Sequence, residues 1–245
     1  MSVLANIDAL LWDSAFFNRS IAKLTDIHQS ASPSLTDDAL NSYQLVQAKI
    51  AANDYLSLIQ LQEFGFQIVD GEIDLEITVN NCEIVHSACL PIATETDIAP
   101  LRTLAENSFS LSRFRAPWFS ERDNQRFYAE WAEKAVLGTF DDLCLIMRDD
   151  TVDAIKGFVT LKRLNDAEMR VGLLAVNPDY RKSGVGEALI AAAKNRVKQD
   201  GLSCLRVATQ TGNVAALRLY IKCGATIASA SYWLYRSMNN DKVIL

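Results

Sequence analysis

The segment "AVNPDYRKSGVGEALI", residues 175–190, constrains the fold more than any other stretch of the chain. An apolar, strand-like run feeds a short polar loop. The loop opens onto a helical pattern in which Val185, Ala188, Leu189, Ala192, Ala193 and Val197 fall on one face. A strand-to-helix turn of this kind leaves the first helical N–H groups without intrahelical partners, and the helix dipole places about half a positive charge there. Two of the ten glycines, Gly184 and Gly186, stand at this point. Lacking Cβ atoms, they let several amides approach one anion, and Arg181 and Lys182 add positive charge at the rim. The loop is therefore predicted to hold a phosphate or pyrophosphate. A Walker loop requires Gly-Lys-Ser/Thr where Glu187 and Ala188 follow Gly186, and a dinucleotide fingerprint requires a third glycine within a parallel βαβ unit. Neither matches.

The surrounding pattern supplies the architecture. "DLCLIMR" (142–148) and "IKGFVTLKRL" (155–164) read as an antiparallel hairpin across the acidic turn "DDTVDA", and "EMRVGLLAV" (168–176) follows as a third strand. After the loop comes a helix closed by Gly201, a strand at 203–209, a short helix from near Asn213 to Gly224, and a last strand at 229–236. Upstream, "DIAPLRTLAENSFS" and "DNQRFYAEWAEKAVLG" read as two helices, the first capped by Thr96 or Asp97. The order predicts an α/β domain over 91–236, with a mixed, mostly antiparallel central sheet flanked by helices. A smaller α/β domain with its linker precedes it over 1–90, and a tail follows over 237–245. "LIQLQEFGFQIVDGEIDLEI" (58–77) has the rhythm of "LRLYIKCGATIASASYWLYR" (217–236): helix, glycine, strand, polar turn, strand. The N-terminal domain thus reads either as a truncated copy of the C-terminal unit without its glycine loop, or as an unrelated helix–strand cap. The segment 78–91 reads as a linker or a crossing strand.

Composition narrows the function. Hydrophobic residues at 49% and charged residues at 22% are those of a globular chain. A net charge of −6 argues against nonspecific nucleic-acid binding, which rests on Lys and Arg neutralising phosphates. No apolar run approaches the roughly 20 residues that span a bilayer, so no integral membrane segment is expected. The N-terminus has no basic region and does not read as a signal peptide, which makes the cytoplasm the expected location. Five scattered cysteines without a C-x-x-C pair, and only two histidines, predict free thiols and no metal site.

Three spacings carry a family resemblance: Arg181-x-x-Gly184-x-Gly186, Leu174-x-Val176-x-Pro178-x-x-Arg181, and Asn213-x-x-Ala216-x-x-x-Tyr220 followed by Gly224. Together with the element order they resemble the GCN5-related N-acetyltransferases. The resemblance implies the fold of that family and acetyl-CoA as cosubstrate. It implies that the backbone of Leu173, Leu174 and Val176 bonds the pantetheine arm, with an amide facing the thioester carbonyl. Arg181, Lys182, Ser183, Gly184, Val185, Gly186 and Glu187 would form the pyrophosphate loop, and Tyr220 would stand near the CoA sulfur. Asn213 would serve either the cofactor or only its helix as cap. A homodimer is a further expectation, by family analogy alone.

The remaining chemistry is read from the residues. An unperturbed tyrosine has a pKa of about 10 and a thiol about 8.5, so full proton transfer from Tyr220 to a leaving thiolate is uphill by roughly 2 kcal/mol. Partial donation through a strengthening hydrogen bond is the expected role. The attacking amine needs a modest base, and Asp70 or Glu72 in "VDGEIDLE" is the candidate, set against the plainer reading of a polar hairpin turn. Arg113, Arg115 and Trp118 in "SRFRAPWFS" are candidate substrate-binding residues: arginines grip a nucleotide-sugar diphosphate, and the indole stacks on a base or sugar. Further blocks in both domains, among them "WDSAFFN", "VQAKIAAND", "SRFRAPWF" and "YWLYR", resemble a nucleotide-sugar acetyltransferase of that family, and this resemblance implies acetyl transfer to a nucleotide amino sugar. The alternatives are acetylation of a peptide N-terminus, lysine or polyamine, or a regulator that binds acyl-CoA without turnover.

Overall fold

The computed structural model describes residues 3–79, 89–152 and 154–238. The chain divides into two units, Met1–Ile73 with Ser229–Leu245, and Asp74–Ala228. The division thus falls before the expected boundary at residue 90, and most of the last strand belongs with the N-terminal unit. The expected linker or crossing strand over 78–91 and the expected tail over 237–245 lie largely outside the described residues.

The elements in chain order are β1 Asn6–Ala9, α1 Leu11–Phe17, β2 Ile21–Thr25, α2 Asp37–Leu40, β3 Leu45–Ala51, α3 Tyr55–Glu63 and β4 Gln67–Thr78. They continue with α4 Ile98–Glu106, α5 Glu121–Val136, β5 Leu143–Arg148, β6 Ile155–Arg163, β7 Glu168–Val176, α6 Val185–Gln199, β8 Cys204–Gln210, α7 Val214–Lys222 and β9 Thr226–Ser237.

In the first unit the strand order is β1–β2–β3–β9–β4. β3 pairs antiparallel with β9 from Leu45↔Ser237 to Ala51↔Ser231, which is why the end of the chain belongs to this unit. Val46, Ala48, Ile50, Leu61, Phe66 and Leu234 form its buried centre. The hairpin expected around Asp70–Asp74 is instead one uninterrupted strand, β4. Asp70, Glu72, Asp74 and Glu76 alternate with Gly71, Ile73, Leu75 and Ile77 along it, and that period of two suits a strand with one apolar face.

The repeated rhythm of the sequence has a local structural counterpart. In α3, Asp54 caps the Ser57 N–H, and in α7, Asn213 caps the Ala216 N–H. Each helix has nine residues and is followed by a glycine in the left-handed region, Gly65 (φ +81°) or Gly224 (φ +93°), before a 12-residue strand. Phe66 N–H bonds Leu61 C=O in one, and Ala225 N–H bonds Tyr220 C=O in the other. Leu61 therefore takes the place that Tyr220 has in the second motif. The first motif repeats the backbone plan without the hydroxyl.

In the second unit the order is β4–β8–β7–β6–β5. β5/β6 and β6/β7 are antiparallel, and β7/β8 is parallel. α6 packs on β5, β6 and β7, while α4 and α5 pack together and against β6. Leu189, Ile190, Ala193 and Val197 of α6 are buried, as are Phe158, Val159, Leu161 and Leu205 of the strands. Asp97, one of the two expected caps, is the N-cap position of α4 but makes no side-chain cap bond to it, and Thr94 caps the 3-10 turn Glu95–Asp97 just ahead. Thr94 and Asp97 form a reciprocal capping box, and the Asp97 carboxylate also takes a bond from Arg148.

Candidate active site

The site begins with a parting of two parallel strands. β7 runs to Val176 and β8 to Gln210, but their pairing covers only Glu168↔Cys204 to Val171↔Val207. The paired end is fastened by Arg206 of β8, which bonds Glu168 of β7 at 2.6 Å and Glu76 of β4 at 2.7 Å. The guanidinium holds the Glu168 carboxyl below its ordinary pKa, with a further bond from Asn165.

Beyond Val171, a bulge sets which backbone groups face the opening. The β6/β7 register shifts between Val159↔Leu174 and Leu161↔Val171, so that Gly172 and Leu173 together oppose Thr160. Asn177 N–H bonds Lys156 C=O, and Leu173 N–H bonds Thr160 Oγ1 at 2.7 Å. Odd-numbered residues here thus donate towards β6, and alternation turns the N–H and C=O of Leu174 and Val176 the other way, towards the opening. Three residues were expected to offer their backbone to a ligand. Of these, Leu173 has its N–H engaged by Thr160 Oγ1.

At the end of β7 the chain makes a tight 3-10 turn, Pro178–Tyr180, and enters the loop. Lys182 (φ +62°) and Gly184 (φ +86°) both adopt the left-handed region. Gly184 is the N-cap of α6 and offers no side-chain acceptor, so the first N–H groups of the helix stay available for an anion. A Cβ at Gly184 would meet nothing within 4 Å, so glycine is needed there for its backbone conformation. Gly186 differs: a Cβ would come to 3.0 Å from Leu219 Cδ2 of α7, so this glycine serves the close packing of the two helices. Arg181, Lys182 and Ser183 are exposed, and Ser183 Oγ bonds Tyr180 C=O at 2.6 Å. Glu187 places a negative charge in the first turn, and Lys222 of α7 offsets it at 2.5 Å. Val185 is buried beneath the loop.

Tyr220 is the buried residue of α7. Burial raises its pKa above the ordinary 10, and the Cys223 thiol adds to the shift. The phenol is therefore held neutral, as a hydrogen-bond donor. Asn213 Oδ1 accepts the Ala216 N–H at 3.2 Å, which engages this side chain as the cap of α7.

The other expected site residues are more scattered. Arg113, Arg115 and Trp118 stand on the loop between α4 and α5. Phe114 and Phe119 anchor that loop; both are buried, and Phe114 lies 4.3 Å from the Phe127 ring of α5. Trp118 is half-buried. The Arg113 guanidinium covers the Phe114 ring at 4.2 Å, and exposed Arg115 donates to Ser112 C=O at 2.7 Å. Asp70 and Glu72 lie in the first unit, on β4. Glu72 is engaged there by Lys49 at 2.5 Å and by Trp233 Nε1 at 2.9 Å.

One cluster escaped the sequence reading. The Asp141 carboxylate, fully buried, accepts from Trp131 Nε1 at 2.7 Å and from Thr160 Oγ1 at 2.6 Å. It sits against Gly172. The signal was Gly172 itself, a glycine inside a strand pattern, which marks a bulge or a close backbone approach.

A parted strand pair, a loop with uncapped amides at the start of α6 and the buried Tyr220 of α7 are the features of the second unit that bear on a ligand. The sequence profile of the acetyltransferase (GNAT) family matches residues 107–225. The chain belongs to this family and is an acetyl-CoA-dependent N-acetyltransferase. Over 238 residues it is 47% identical to the dTDP-fucosamine acetyltransferase of Escherichia coli O6:H1 (strain CFT073), a match covering 96% of this chain and 100% of that one. Two solved structures share the fold. A tandem GNAT protein from the clavulanic acid biosynthesis pathway superposes with a TM-score of 0.62 at 10% identity, over 89% of this chain and 75% of its own. A GCN5-related N-acetyltransferase from Sphaerobacter thermophilus gives 0.57 at 14% identity, over 80% and 60%.

Proposed function

We propose that this enzyme transfers the acetyl group of acetyl-CoA to the 4-amino group of dTDP-fucosamine (dTDP-4-amino-4,6-dideoxy-D-galactose), by direct attack of the amine on the thioester. The observation that carries the reading is the 47% identity to dTDP-fucosamine acetyltransferase along the whole of that relative, both units and the 107–120 loop included. The product, dTDP-4-acetamido-4,6-dideoxygalactose, is assigned to enterobacterial common antigen synthesis on the same resemblance. We place the reaction in the cytoplasm, where acetyl-CoA and nucleotide sugars are made.

Bound acetyl-CoA supplies the activated acyl group. The loop amides from Gly184 to Glu187, with Arg181 and Lys182, hold its pyrophosphate. The Leu174 and Val176 backbone groups run beside the pantetheine arm, and one of their N–H groups meets the negative charge that grows on the carbonyl oxygen. Tyr220 donates to the departing sulfur. Because burial raises its pKa, it works by a hydrogen bond that strengthens as the thiolate forms, and it keeps its proton. Arg113 and Arg115 grip the diphosphate of the sugar nucleotide, and Trp118 stacks on its base or sugar. Asp70 and Glu72 of β4 are the candidates for the base, tested side by side as Asp70→Asn and Glu72→Gln.

The deciding experiment is a thiol-release assay with a panel of amines: dTDP-4-amino sugars, peptide N-termini and lysine, and polyamines. Release with dTDP-fucosamine above all others is expected. Absence of release with every 4-amino sugar would overturn the acceptor, and tight CoA binding without any turnover would favour a regulator.

A further inference from the structure

The opening between β7 and β8 is useful only if the right amides face it, and the bulge at Gly172–Leu173 decides which do. Without the extra residue the alternation set by Val171 would continue, and Leu173 and Ala175, not Leu174 and Val176, would turn towards the opening. The bulge has a specific fastening. Thr160 Oγ1 accepts the Leu173 N–H at 2.7 Å and donates to Asp141 Oδ2 at 2.6 Å. Trp131 Nε1 donates to the same oxygen at 2.7 Å, and the Arg170 guanidinium lies 3.9 Å from Oδ1. Thr160 and Asp141 are both 0% exposed. Gly172 completes the fit: a Cβ there would stand 2.1 Å from Asp141 Oδ2 and 2.7 Å from Thr160 Oγ1, so only glycine lets the carboxylate lie against the bulged backbone.

We propose that Thr160 and Asp141 are positioning residues of the transfer reaction: they lock the β7 bulge in the phase that presents the Leu174 and Val176 backbone to the acyl donor. A threonine hydroxyl suits this role because it accepts one hydrogen bond while donating another. It couples a strand amide to a buried carboxylate that helix α5, through Trp131, holds from outside the sheet. Neither residue touches the reacting atoms. This inference rests on the acetyl-transfer reading.

The test compares wild-type enzyme with Thr160→Val, which keeps the shape and removes the hydroxyl, and with Thr160→Ser, which keeps the hydroxyl. Amide hydrogen exchange at Leu173 should be roughly tenfold faster in Thr160→Val and return to the wild-type rate in Thr160→Ser. In steady-state assays kcat of Thr160→Val should fall by roughly 10- to 100-fold while its CoA dissociation constant stays within about threefold of wild type, with Thr160→Ser recovering most of the rate. Unchanged Leu173 exchange in Thr160→Val would overturn the lock whether or not any acceptor is turned over. Equal kcat, or a loss of CoA affinity matching the loss of kcat, would overturn the positioning role. Failure of the wild-type enzyme itself with dTDP-fucosamine counts against the acceptor alone. If Thr160→Val does not fold, Trp131→Phe removes one donor to Asp141 and must speed Leu173 exchange, and no change there overturns the lock.

Discussion

Replacing Gly172 by alanine should destabilise the second unit far more than a surface glycine would. The added Cβ would stand 2.1 Å from Asp141 Oδ2, inside any real contact distance, so the carboxylate must move away by more than an ångström. Moving it breaks or lengthens the bonds from both Trp131 and Thr160. Hydrogen bonds to a charged group contribute about 1.5–3 kcal/mol each, so two weakened together set an upper bound of about 3–6 kcal/mol. Against that, alanine narrows the unfolded ensemble and returns about 0.4–1 kcal/mol. The net loss should be about 2–5 kcal/mol. Urea unfolding should read this as a lowered midpoint, and a thermal melt as a fall of roughly 5–15 °C for a unit of this size. Gly212→Ala is the comparison, since a Cβ there meets nothing within 4 Å, and it should be neutral or slightly stabilising. If Gly172→Ala melts within about 2 °C of Gly212→Ala, the carboxylate is not held as described and the reasoning from close approach fails.

The other predictions separate binding from chemistry. Tyr220→Phe should lower kcat by roughly 10²-fold with little change in CoA affinity. Because the Tyr220 pKa is raised, its proton is retained through pH 10, so the alkaline limb of the wild-type profile should not centre there; a limb near 10 that disappears in Tyr220→Phe would contradict the assigned state. Gly184→Ala should weaken CoA binding, because a left-handed non-glycine residue costs roughly 1–2 kcal/mol in the loop. For Gly186→Ala, the gain in helix propensity of about 1 kcal/mol offsets part of the crowding against Leu219, so a lower kcat through displaced α7, with near-native stability, is expected in kinetics and melts. Asn213→Ala should cost about 1 kcal/mol of stability and leave CoA affinity unchanged in a titration. The Glu168 carboxyl has a depressed pKa, so the stability it adds is present above its ordinary 4.5 and is lost as pH falls through the lower folded value; Glu168→Gln should flatten urea stability against pH in that acid range.

The loop and the order of elements around it could be read from the sequence because both are local. Gly184 marks a left-handed turn, and the helical period of α6 starts at the next residue. The strands from 142 to 176 likewise announce themselves by composition and turn residues. β4 was misread for a physical reason: Asp70, Gly71 and Glu72 look like a turn. Their alternation with Ile73, Leu75 and Ile77 is a strand signal only when the run is taken whole. The allegiance of β9 was out of reach, because its pairing with β3 depends on residues from the far end of the chain. The same holds for the site. The positions of Leu173, Leu174 and Val176 at the end of β7 are legible locally, but the engagement of the Leu173 N–H is not, since that bond is decided by the Thr160 side chain on the neighbouring strand.

The two halves of the site therefore stand on different kinds of information. The proposed pyrophosphate loop is written in backbone conformation, which a glycine and its spacing declare. The proposed acyl end is written in register, and register here is set by side chains buried behind the strand. Gly172, Thr160, Asp141 and Trp131 come from a strand, its neighbour, the turn after α5 and α5 itself, and meet only in the folded second unit. A one-residue slip of β7 would leave the loop, Tyr220 and the helix dipole untouched, yet it would exchange the amides that face the opening. Nucleotide binding and acetyl transfer should thus be separable by mutation. Loop variants should lose affinity first, and variants of the buried carboxylate's neighbourhood should lose rate first.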